Sequence, residues 1–459
     1  MADRKRLRRW ATAGAVIAAA LAGGEASAQL GPRLGGAGLP GLPGLPVVRP
    51  GEAVRGALGD LSRLDPQSLL QARLDRLGEL VRRHPRELEL DAQGFPAVRG
   101  EVVALSPAPE ALDAATRAGF TVARRESLSE LGLEEVVLQA PAGESAVRAL
   151  ARLRKLDPAG QYALNHVFQP AGEVGGSEAA AEPARTALGR SPARIGLIDT
   201  GVEAHAPALA GARLESRAFA EGGPAPKPHG TAVASLLVGE APPFRGGAPG
   251  AELFAADVYG AGPKGGAVDG LLRALAWLAK RNVGVINMSL VGPDNPALAS
   301  GVRALSAKGV IIVAAVGNDG PAAPPLYPAS YPEVVAVTAV DARGRLLPEA
   351  GRARHLDFAA PGAEMAVARA GGGYAVARGA SFAAPLVAAL IARALVAPGS
   401  TGPGPAASGP AAREEALRKV AAHADRHGEG YGRGLVGLEL RIAPQKVGAR
   451  APLCDGSAC

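Results

Sequence analysis

Three short segments, far apart in the sequence, each carry one of the side chains that a nucleophilic serine requires. Asp199 ends the segment RIGLID and is followed at once by Thr200 and Gly201. His229 stands in PHGTAVASLLVG, and Ser381 stands in GASFAAPLVAALIARAL. A serine hydroxyl becomes a nucleophile when an imidazole takes its proton and a carboxylate holds that imidazole in one tautomer. Together these residues would support acyl transfer through a covalent serine intermediate.

Each of these residues also has a simpler interpretation. Asp-Thr-Gly occurs in aspartic proteases as well, but that chemistry needs a second carboxylate, and the chain has no second copy of the motif. A serine at the start of a helix, such as Ser381, is often only an N-cap. Asn318, in AAVGNDG, has the alternative of an ordinary turn residue before Asp319 and Gly320. The combination of residues, rather than any one of them, predicts the chemistry.

The elements around these residues alternate between strands and helices. From residue 194 onward, apolar segments such as RIGLID, VGVINMSL and GVIIVAAVG are separated by helices near residues 268–280 and 297–307. Strands that are apolar throughout are buried on both faces, which predicts an α/β domain with a mostly parallel sheet and helices on both faces. Ligands bind at the carboxyl ends of such strands, and Asp199 stands at one of these ends.

An earlier part of the chain has a different order of elements. Between residues 99 and 170 the pattern predicts strand, helix, strand, strand, helix and strand, the order of a small α+β ferredoxin-like domain. The predicted organisation of the whole chain is a signal peptide at 1–28, a Gly/Pro-rich linker at 29–65, a helical segment at 66–98, the ferredoxin-like domain at 99–170, a linker at 171–193, the α/β domain at 194–442 and a tail at 443–459.

The distribution of charged residues and the order of the N-terminal residues predict what the protein binds and where it is located. The net charge is +7, yet basic residues are interspersed with acids apart from RKRLRR at 4–9, so we predict no nucleic-acid partner. That run, a short apolar segment and Ala26-Ser27-Ala28 follow the order of a secretory signal, with cleavage expected after Ala28. The apolar stretch is shorter than the roughly 20 residues of a spanning helix, so no membrane span is expected after cleavage. We predict an exported protein, periplasmic or extracellular.

The only two cysteines, Cys454 and Cys459, enclose DGSA at the C-terminus. An oxidising compartment would let them pair, so we expect a small terminal disulfide, with two free thiols as the alternative. Two cysteines without a nearby histidine make a metal site improbable. No acidic loop has a readable calcium-ligand pattern, so structural calcium stays unknown, and the predicted chemistry requires no cofactor.

The order Asp199, His229 and Ser381, each within its own motif, resembles the order in the subtilases, the subtilisin-like serine peptidases. GGAPGAELFAADVYG, YPASYPEVVAVTAVD, DFAAPG and YGRGLVG also resemble family segments and follow the family order. The resemblance implies that Asp199 orients His229, and that His229 acts first as general base and then as general acid. It further implies that Ser381 attacks the peptide carbonyl and that Asn318 is the oxyanion asparagine. His205 matches a structural motif, so a packing role is expected for it.

The resemblance also implies where a substrate binds. An extended substrate would lie against SLVG, residues 289–292, and the pocket for the cleaved residue would have two short segments as its walls. Many relatives have glycine where Val291 stands, so we predict a preference for small or medium apolar side chains at the cleaved position. The predicted walls are Ser289, Leu290, Val291, Ala315, Val316 and Gly317.

The ferredoxin-like domain resembles the propeptide of many subtilases, which assists folding and then blocks the active site through its C-terminal strand. Here YALNHVFQP would be that strand, and self-cleavage is expected within residues 166–193. We therefore predict an exported serine endopeptidase made as a precursor, with protein or peptide substrates and its own pro-domain as inhibitor. One alternative is an accessory domain that is never removed. The other is a catalytically silent subtilase fold used for binding.

Overall fold

The computed structural model describes residues 65–172, 189–397 and 409–449. The predicted signal peptide, nearly all of the Gly/Pro-rich linker, and Cys454 and Cys459 lie outside these ranges. Within them, no helix combines the length and the hydropathy needed to cross a membrane.

The described chain begins with a helix and an antiparallel sheet. Helix α1 spans Pro66–Arg83 and follows Asp65, whose carboxylate accepts hydrogen bonds from the N–H groups of Gln67 and Ser68. The next elements are β1 (Leu88–Leu90), β2 (Pro96–Leu105), α2 (Pro109–Arg117), β3 (Thr121–Leu128), β4 (Leu133–Gln139), α3 (Ala146–Leu156), β5 (Gln161–His166) and β6 (Gln169–Pro170).

Elements β2 to β5 follow the strand, helix, strand, strand, helix, strand order expected from the sequence. Strands β5, β2, β4 and β3 lie side by side and are antiparallel, and β1 also pairs with β2. Val136 and Leu138 of β4 pack with residues of α2 and α3 in a small core. Because side chains alternate along a strand, Glu135 points to the opposite face. That face packs against the second domain.

Two details of this region differ from the prediction. The segment 66–98, predicted as helical, contains β1 and the start of β2 as well as α1. The single strand predicted across 161–170 is two strands in different sheets. The chain leaves the antiparallel sheet at Phe168, whose N–H donates to the carbonyl of Gly266 at 2.9 Å. This change of sheet depends on packing between the two domains. The sequence pattern contains no signal of that packing.

The second domain contains one large sheet with helices packed on it. Its elements are β7 (Arg194–Asp199), β8 (Arg213–Ala218), α4 (Pro228–Val238), β9 (Glu240–Ala241), β10 (Phe244–Arg245), β11 (Glu252–Asp257), α5 (Val268–Lys280), β12 (Val285–Met288), β13 (Leu290–Val291), α6 (Pro296–Ala307), β14 (Ile311–Ala315), β15 (Val334–Val340), β16 (Phe358–Pro361), β17 (Met365–Ala368), β18 (Tyr374–Ala377), α7 (Ala380–Ala394) and α8 (Pro410–Ala421).

The large sheet has the order β16-β15-β14-β12-β7-β11-β8, and all of its neighbouring strands are parallel. Strands β12, β14 and β15 are buried along their whole length, as their continuous apolar sequences predict. Helices α4 and α7 pack together, α5 and α6 form a second pair, and the N-terminal antiparallel sheet packs on that second pair. The predicted α/β fold is confirmed.

The strand order reverses at β7, which lies between β11 and β12 although β8 follows it in the chain. In sheets of this kind, ligands bind beyond the carboxyl ends of the strands at the point of reversal. Asp199 ends β7, Ser289 follows β12 directly, and Asn318 lies three residues beyond β14. The fold therefore brings these three residues to the same edge of the sheet.

Candidate active site

Asp199 and His229 form a buried pair at this edge. Nδ1 of His229 lies 2.7 Å from Oδ1 of Asp199, and the side chains are 8% and 1% exposed. A carboxylate only accepts hydrogen bonds, so Nδ1 carries a proton, and in the neutral imidazole Nε2 keeps its lone pair. Within the described residues, Nε2 has no hydrogen-bond partner. The imidazole is thus held in the tautomer that can accept a proton at Nε2.

Helix α4 holds His229 close to the end of β7 through a glycine. The N–H of Gly230 donates to Oγ1 of Thr200 at 2.8 Å. A Cβ atom at Gly230 would lie 2.1 Å from the carbonyl oxygen of Thr200, so only glycine allows this approach. The Thr200 and Gly230 of the two sequence motifs therefore explain how the carboxylate and the imidazole meet.

Tyr259 lies near Asp199 and is also buried. Burial, followed by the negative charges of Asp199 and Asp257, raises the pKa of Tyr259 well above its ordinary value. The phenol consequently stays protonated beside the carboxylate. Its hydroxyl and Oδ2 of Asp199 both lack hydrogen-bond partners among the described residues.

Ser381 is the second residue of α7 and is fully buried. The ring of the next residue, Phe382, lies 5.4 Å from the imidazole of His229, centroid to centroid, which brings the start of α7 next to His229. Pro385 is the sixth residue of the helix and so stands beyond its first turn. Proline cannot donate to the carbonyl of Ser381, and the hydroxyl of Ser289 donates to that carbonyl instead, at 3.0 Å.

Asn318 has a side-chain amide whose orientation is fixed. Its Oδ1 accepts the N–H of Ala380 at 2.8 Å, so Nδ2 points the other way and donates to the carbonyl of Ala171. Gly379 has φ 133°, and a Cβ atom there would lie 2.7 Å from this Nδ2. The turn before Ser381 therefore requires glycine to leave room for the amide.

An extended segment of the same chain occupies the site. Strand β6 is antiparallel to β13, with Gln169 opposite Val291 and Pro170 opposite Leu290. The N–H of Ala171 continues this pairing and donates to the carbonyl of Ser289 at 3.0 Å.

The peptide bond after Ala171 lies at the serine. A Cβ atom built on Gly172 would lie only 1.8 Å from Oγ of Ser381. The carbonyl of Ala171 meanwhile accepts the amide of Asn318. The Ala171–Gly172 bond therefore lies between the serine hydroxyl and a hydrogen-bond donor for its carbonyl oxygen.

The predicted pocket walls lie on two segments, one of which, Leu290–Val291, pairs with β6. Gly317 has φ 91°, and a Cβ atom there would lie 3.2 Å from Cγ1 of Val291 and 3.3 Å from Cδ1 of Leu326. The side chains of Val291 and Leu326 both lie against Gly317, and sequence reasoning missed Leu326. It directly precedes the family-like segment YPASYP, and no periodic pattern marks it. The wall residues Ser289, Leu290, Val291, Ala315, Val316 and Gly317 are buried.

The structure also bears on His205 and on metal binding. His205 is exposed, so the packing role expected for it is wrong. Across residues 65–172, 189–397 and 409–449, no group of three or more His, Cys, Asp or Glu side chains is arranged to hold a metal ion.

Comparison with known proteins agrees with this geometry. The subtilase family model matches residues 191–432, which is more than half of the chain. Subtilisin BL of Lederbergia lenta is 34% identical over 205 residues, covering 43% of this chain and 74% of that protein. Subtilisin E of Bacillus subtilis is 31% identical over 210 residues, covering 43% of this chain and 54% of that protein.

A solved structure extends the similarity of fold. Fervidolysin from Fervidobacterium pennivorans, described as a keratinolytic enzyme related to subtilisin, has a TM-score of 0.60 at 18% identity. The match covers 80% of this chain and 63% of that protein, which is a larger share of this chain than residues 191–432. With the family match and the subtilisins, the conclusion is that this chain belongs to the subtilase family of subtilisin-like serine endopeptidases.

Proposed function

We propose that the chain is an exported endopeptidase that uses Asp199, His229 and Ser381 as its catalytic triad and is made as a precursor. The observation that carries this proposal is the Ala171–Gly172 bond beside Ser381. Its N-terminal side pairs with an edge strand, and its carbonyl reaches a side-chain amide, which is the geometry expected of a bound substrate. Export rests on the order of residues at the N-terminus.

In the first half of the reaction, Nε2 of His229 takes the proton of Ser381 as Oγ attacks the carbonyl carbon of Ala171. Asp199 holds the Nδ1 proton and stabilises the imidazolium. The carbonyl oxygen becomes an oxyanion, and Nδ2 of Asn318 and the N–H of Ser381 would stabilise it.

In the second half, the imidazolium of His229 gives its proton to the nitrogen of Gly172, and the C–N bond breaks. The product is an acyl-enzyme between Ser381 and Ala171. His229 then takes a proton from water as the water oxygen attacks the ester carbonyl carbon. The bond between that carbon and Oγ of Ser381 breaks, and His229 returns the proton to Oγ, which releases the acid and restores the serine. Protein substrates would follow the same steps once the N-terminal domain has left.

Two side chains of the bound segment indicate how substrates are selected. Ala171 precedes the cut bond, and a small side chain suits the pocket that Val291 and Leu326 narrow. Phe168, three residues earlier, is fully buried, and a Cβ atom at Gly292 would lie 2.5 Å from its ring. We propose that substrates bind extended, with a large apolar residue three positions before a small one.

Labelling with a fluorophosphonate tests the proposed nucleophile. The processed enzyme should carry the adduct on Ser381, and His229→Ala should lose it because no base then activates the hydroxyl. Peptide mapping by mass spectrometry identifies the labelled residue. Absence of label in folded, processed protein would favour the alternative of a silent fold.

Enlarging the pocket is expected to change the cleavage preference. Leu326→Ala and Val291→Gly should each raise the ratio of kcat/KM for Phe over Ala before the cut bond, by about 10-fold to 100-fold. The physical reason is that each change removes methyl groups that exclude larger side chains. A peptide series that varies only this residue measures the ratio. Leu346→Ala, at an exposed leucine of the same domain, is the control, and an unchanged ratio in both pocket variants would contradict the assignment.

Helix α1 gives the N-terminal domain a second contact next to the active site. Nε of Arg73 lies 3.1 Å from Oδ2 of Asp319, and Nη2 of Arg76 donates to Oδ1 at 2.7 Å. Asp319 follows Asn318 directly, and a Cβ atom on Gly320 would lie 2.8 Å from Leu69. The side chains of Arg73 and Asp319 are both less than a tenth exposed, so water screens this pair weakly.

Removing this contact should weaken retention of the cleaved domain. Arg73→Gln with Arg76→Gln leaves Asp319 buried without its cations, and we expect the dissociation constant of the cut domain to rise at least about tenfold. Co-elution of the cut N-terminal fragment with the processed enzyme during size-exclusion chromatography measures it. Arg82→Gln is the matched control, since Arg82 pairs with Glu79 inside α1. Equal retention in both variants would show that the two arginines of α1 contribute nothing to binding.

A further inference from the structure

Glu349 and Arg378 connect the two loops that form the proposed oxyanion site. Nη2 of Arg378 donates to Oε2 of Glu349 at 3.1 Å, and Nε of Arg378 lies 2.6 Å from Oε1. The Glu349 side chain is 5% exposed. Arg378 directly precedes Gly379 in the turn that leads to Ser381. The ion pair therefore fastens the serine turn to the segment that contains Glu349.

The backbone of the same segment holds the other loop on both sides of Asn318. The carbonyl of Glu349 accepts the N–H of Gly320 at 2.9 Å. Two residues later, the N–H of Gly351 donates to the carbonyl of Gly317, also at 2.9 Å. The loop that carries the Asn318 amide and the turn that carries Ser381 thus share one support.

The relative position of these two loops decides where the amide points. Oδ1 of Asn318 accepts the N–H of Ala380, and the Asn318 amide lies so close to residue 379 that only glycine fits there. A donor stabilises an oxyanion when it lies about 2.7–3.1 Å from it. A shift of about 1 Å in a positioned group can cost about 100-fold in rate. Small movements between the loops would therefore reduce the rate of the chemical step.

We propose that Glu349 and Arg378 are positioning residues for the oxyanion site. They act through Asn318 and the serine turn and do not contact the reacting atoms. One hydrogen bond, from Nη2 to Oε2, and a second close approach between opposite charges join the guanidinium to the carboxylate, which suits this role. The inference rests on the proposed function, since it assigns to the pair the support of the same reaction.

Self-cleavage of the full chain is the first readout, because an intramolecular reaction has a first-order rate constant and no KM. Glu349→Gln should slow cleavage after Ala171 at least about tenfold. In the processed enzyme the same change should lower kcat and leave KM within about twofold. Glu252→Gln is the matched control: Glu252 pairs with Arg194 at 2.8 Å between β11 and β7, where those strands begin, far from their carboxyl ends.

The effect of Glu349→Gln in a chain that lacks Asn318 distinguishes a positioning role of Glu349 from a general structural role. In an Asn318→Ala background, Glu349→Gln should slow cleavage by a smaller factor than in the unchanged chain, because the donor that it positions is absent. Equal slowing in both backgrounds would overturn the inference. So would wild-type cleavage rates in folded Glu349→Gln protein.

A double variant keeps the inference testable if the single variant misfolds. If Glu349→Gln does not fold, Glu349→Gln with Arg378→Gln removes both charges and leaves none buried without a partner. The inference expects this variant to fold and to be slowed in the same way, and a wild-type rate would overturn it. Failure of the unchanged chain to cut itself, with no fluorophosphonate label on Ser381, would instead refute the proposed function.

Discussion

Replacing Ser381 by alanine is expected to leave the precursor intact, whereas the unchanged chain is expected to cut itself between Ala171 and Gly172. The reason is that the Ser381 hydroxyl is the group placed against this bond, and alanine offers no nucleophile. Removing a triad serine leaves only the small residual catalysis of binding and the oxyanion site. Intact mass and N-terminal sequencing of the purified protein measure the outcome, with Gly172 as the expected new N-terminus.

Two histidines provide the matched comparison. His229→Ala should abolish the cut as Ser381→Ala does, because no base then takes the serine proton. His205→Ala should be cut normally, since His205 is exposed and lies outside the pair with Asp199. Normal cutting of Ser381→Ala would show that another protease processes the chain.

The position of the cut tests the assignment of Ala171, whereas the occurrence of a cut tests the nucleophile. A Ser381-dependent cut elsewhere within residues 166–193 would keep the triad but contradict the assignment of Ala171. It would also remove the main support for a pocket that favours alanine. A cut after Ala171 would support the main-chain pairing of β6 with β13 as the way in which substrates bind.

Much of the α/β domain was predictable because its strands are apolar throughout and its reactive residues stand in local motifs. Asp199 ends a buried strand, and strand ends of a parallel sheet meet at one edge, so its proximity to His229 follows from the fold. Thr200 and Gly230 were visible in the same motifs, although their close contact was not. Periodicity and motif order together therefore gave the sheet and the pair.

The remaining features depend on contacts between segments that are distant in the sequence. Leu326 lies against Gly317, and the predicted walls of the proposed pocket lie 9 to 37 residues earlier in the chain. Arg73 reaches Asp319 from another domain, and Glu349 meets Arg378 across 29 residues. None of these residues has a periodic or local pattern that distinguishes it from an ordinary surface or core residue. Only the packed chain reveals their partners.

Glu135 is expected to make the contact between the two domains weaker as the pH rises. Burial raises the pKa of its carboxyl to about 8, although the charges of Arg273 and Arg124 lower it, and Glu126 raises it further. Nε of Arg273, on α5 of the second domain, lies 3.9 Å from Oε2 of Glu135. Both oxygens lack hydrogen-bond partners among the described residues, so nothing compensates for the lost hydration of the charged form.

The sign of the effect follows from the two pKa values. When the cut domain leaves, Glu135 becomes hydrated and its pKa returns toward the ordinary value of 4.5. Between these values the bound state holds more protons than the separated state, so each unit of rising pH weakens binding by up to about tenfold. Below about 4.5 and above about 8 this group adds no dependence. From about pH 5 to pH 8 the dissociation constant should therefore rise by up to about 10³.

Glu135→Gln should remove this dependence, because an amide stays neutral and keeps its bound form at every pH. Co-elution of the cut domain with the processed enzyme, measured at several dilutions and pH values, gives the dissociation constants. Glu134→Gln is the control, since Glu134 pairs with Arg125 of its own domain at 2.7 Å and should keep the wild-type slope. A slope that persists in Glu135→Gln would place the titrating group elsewhere at the contact.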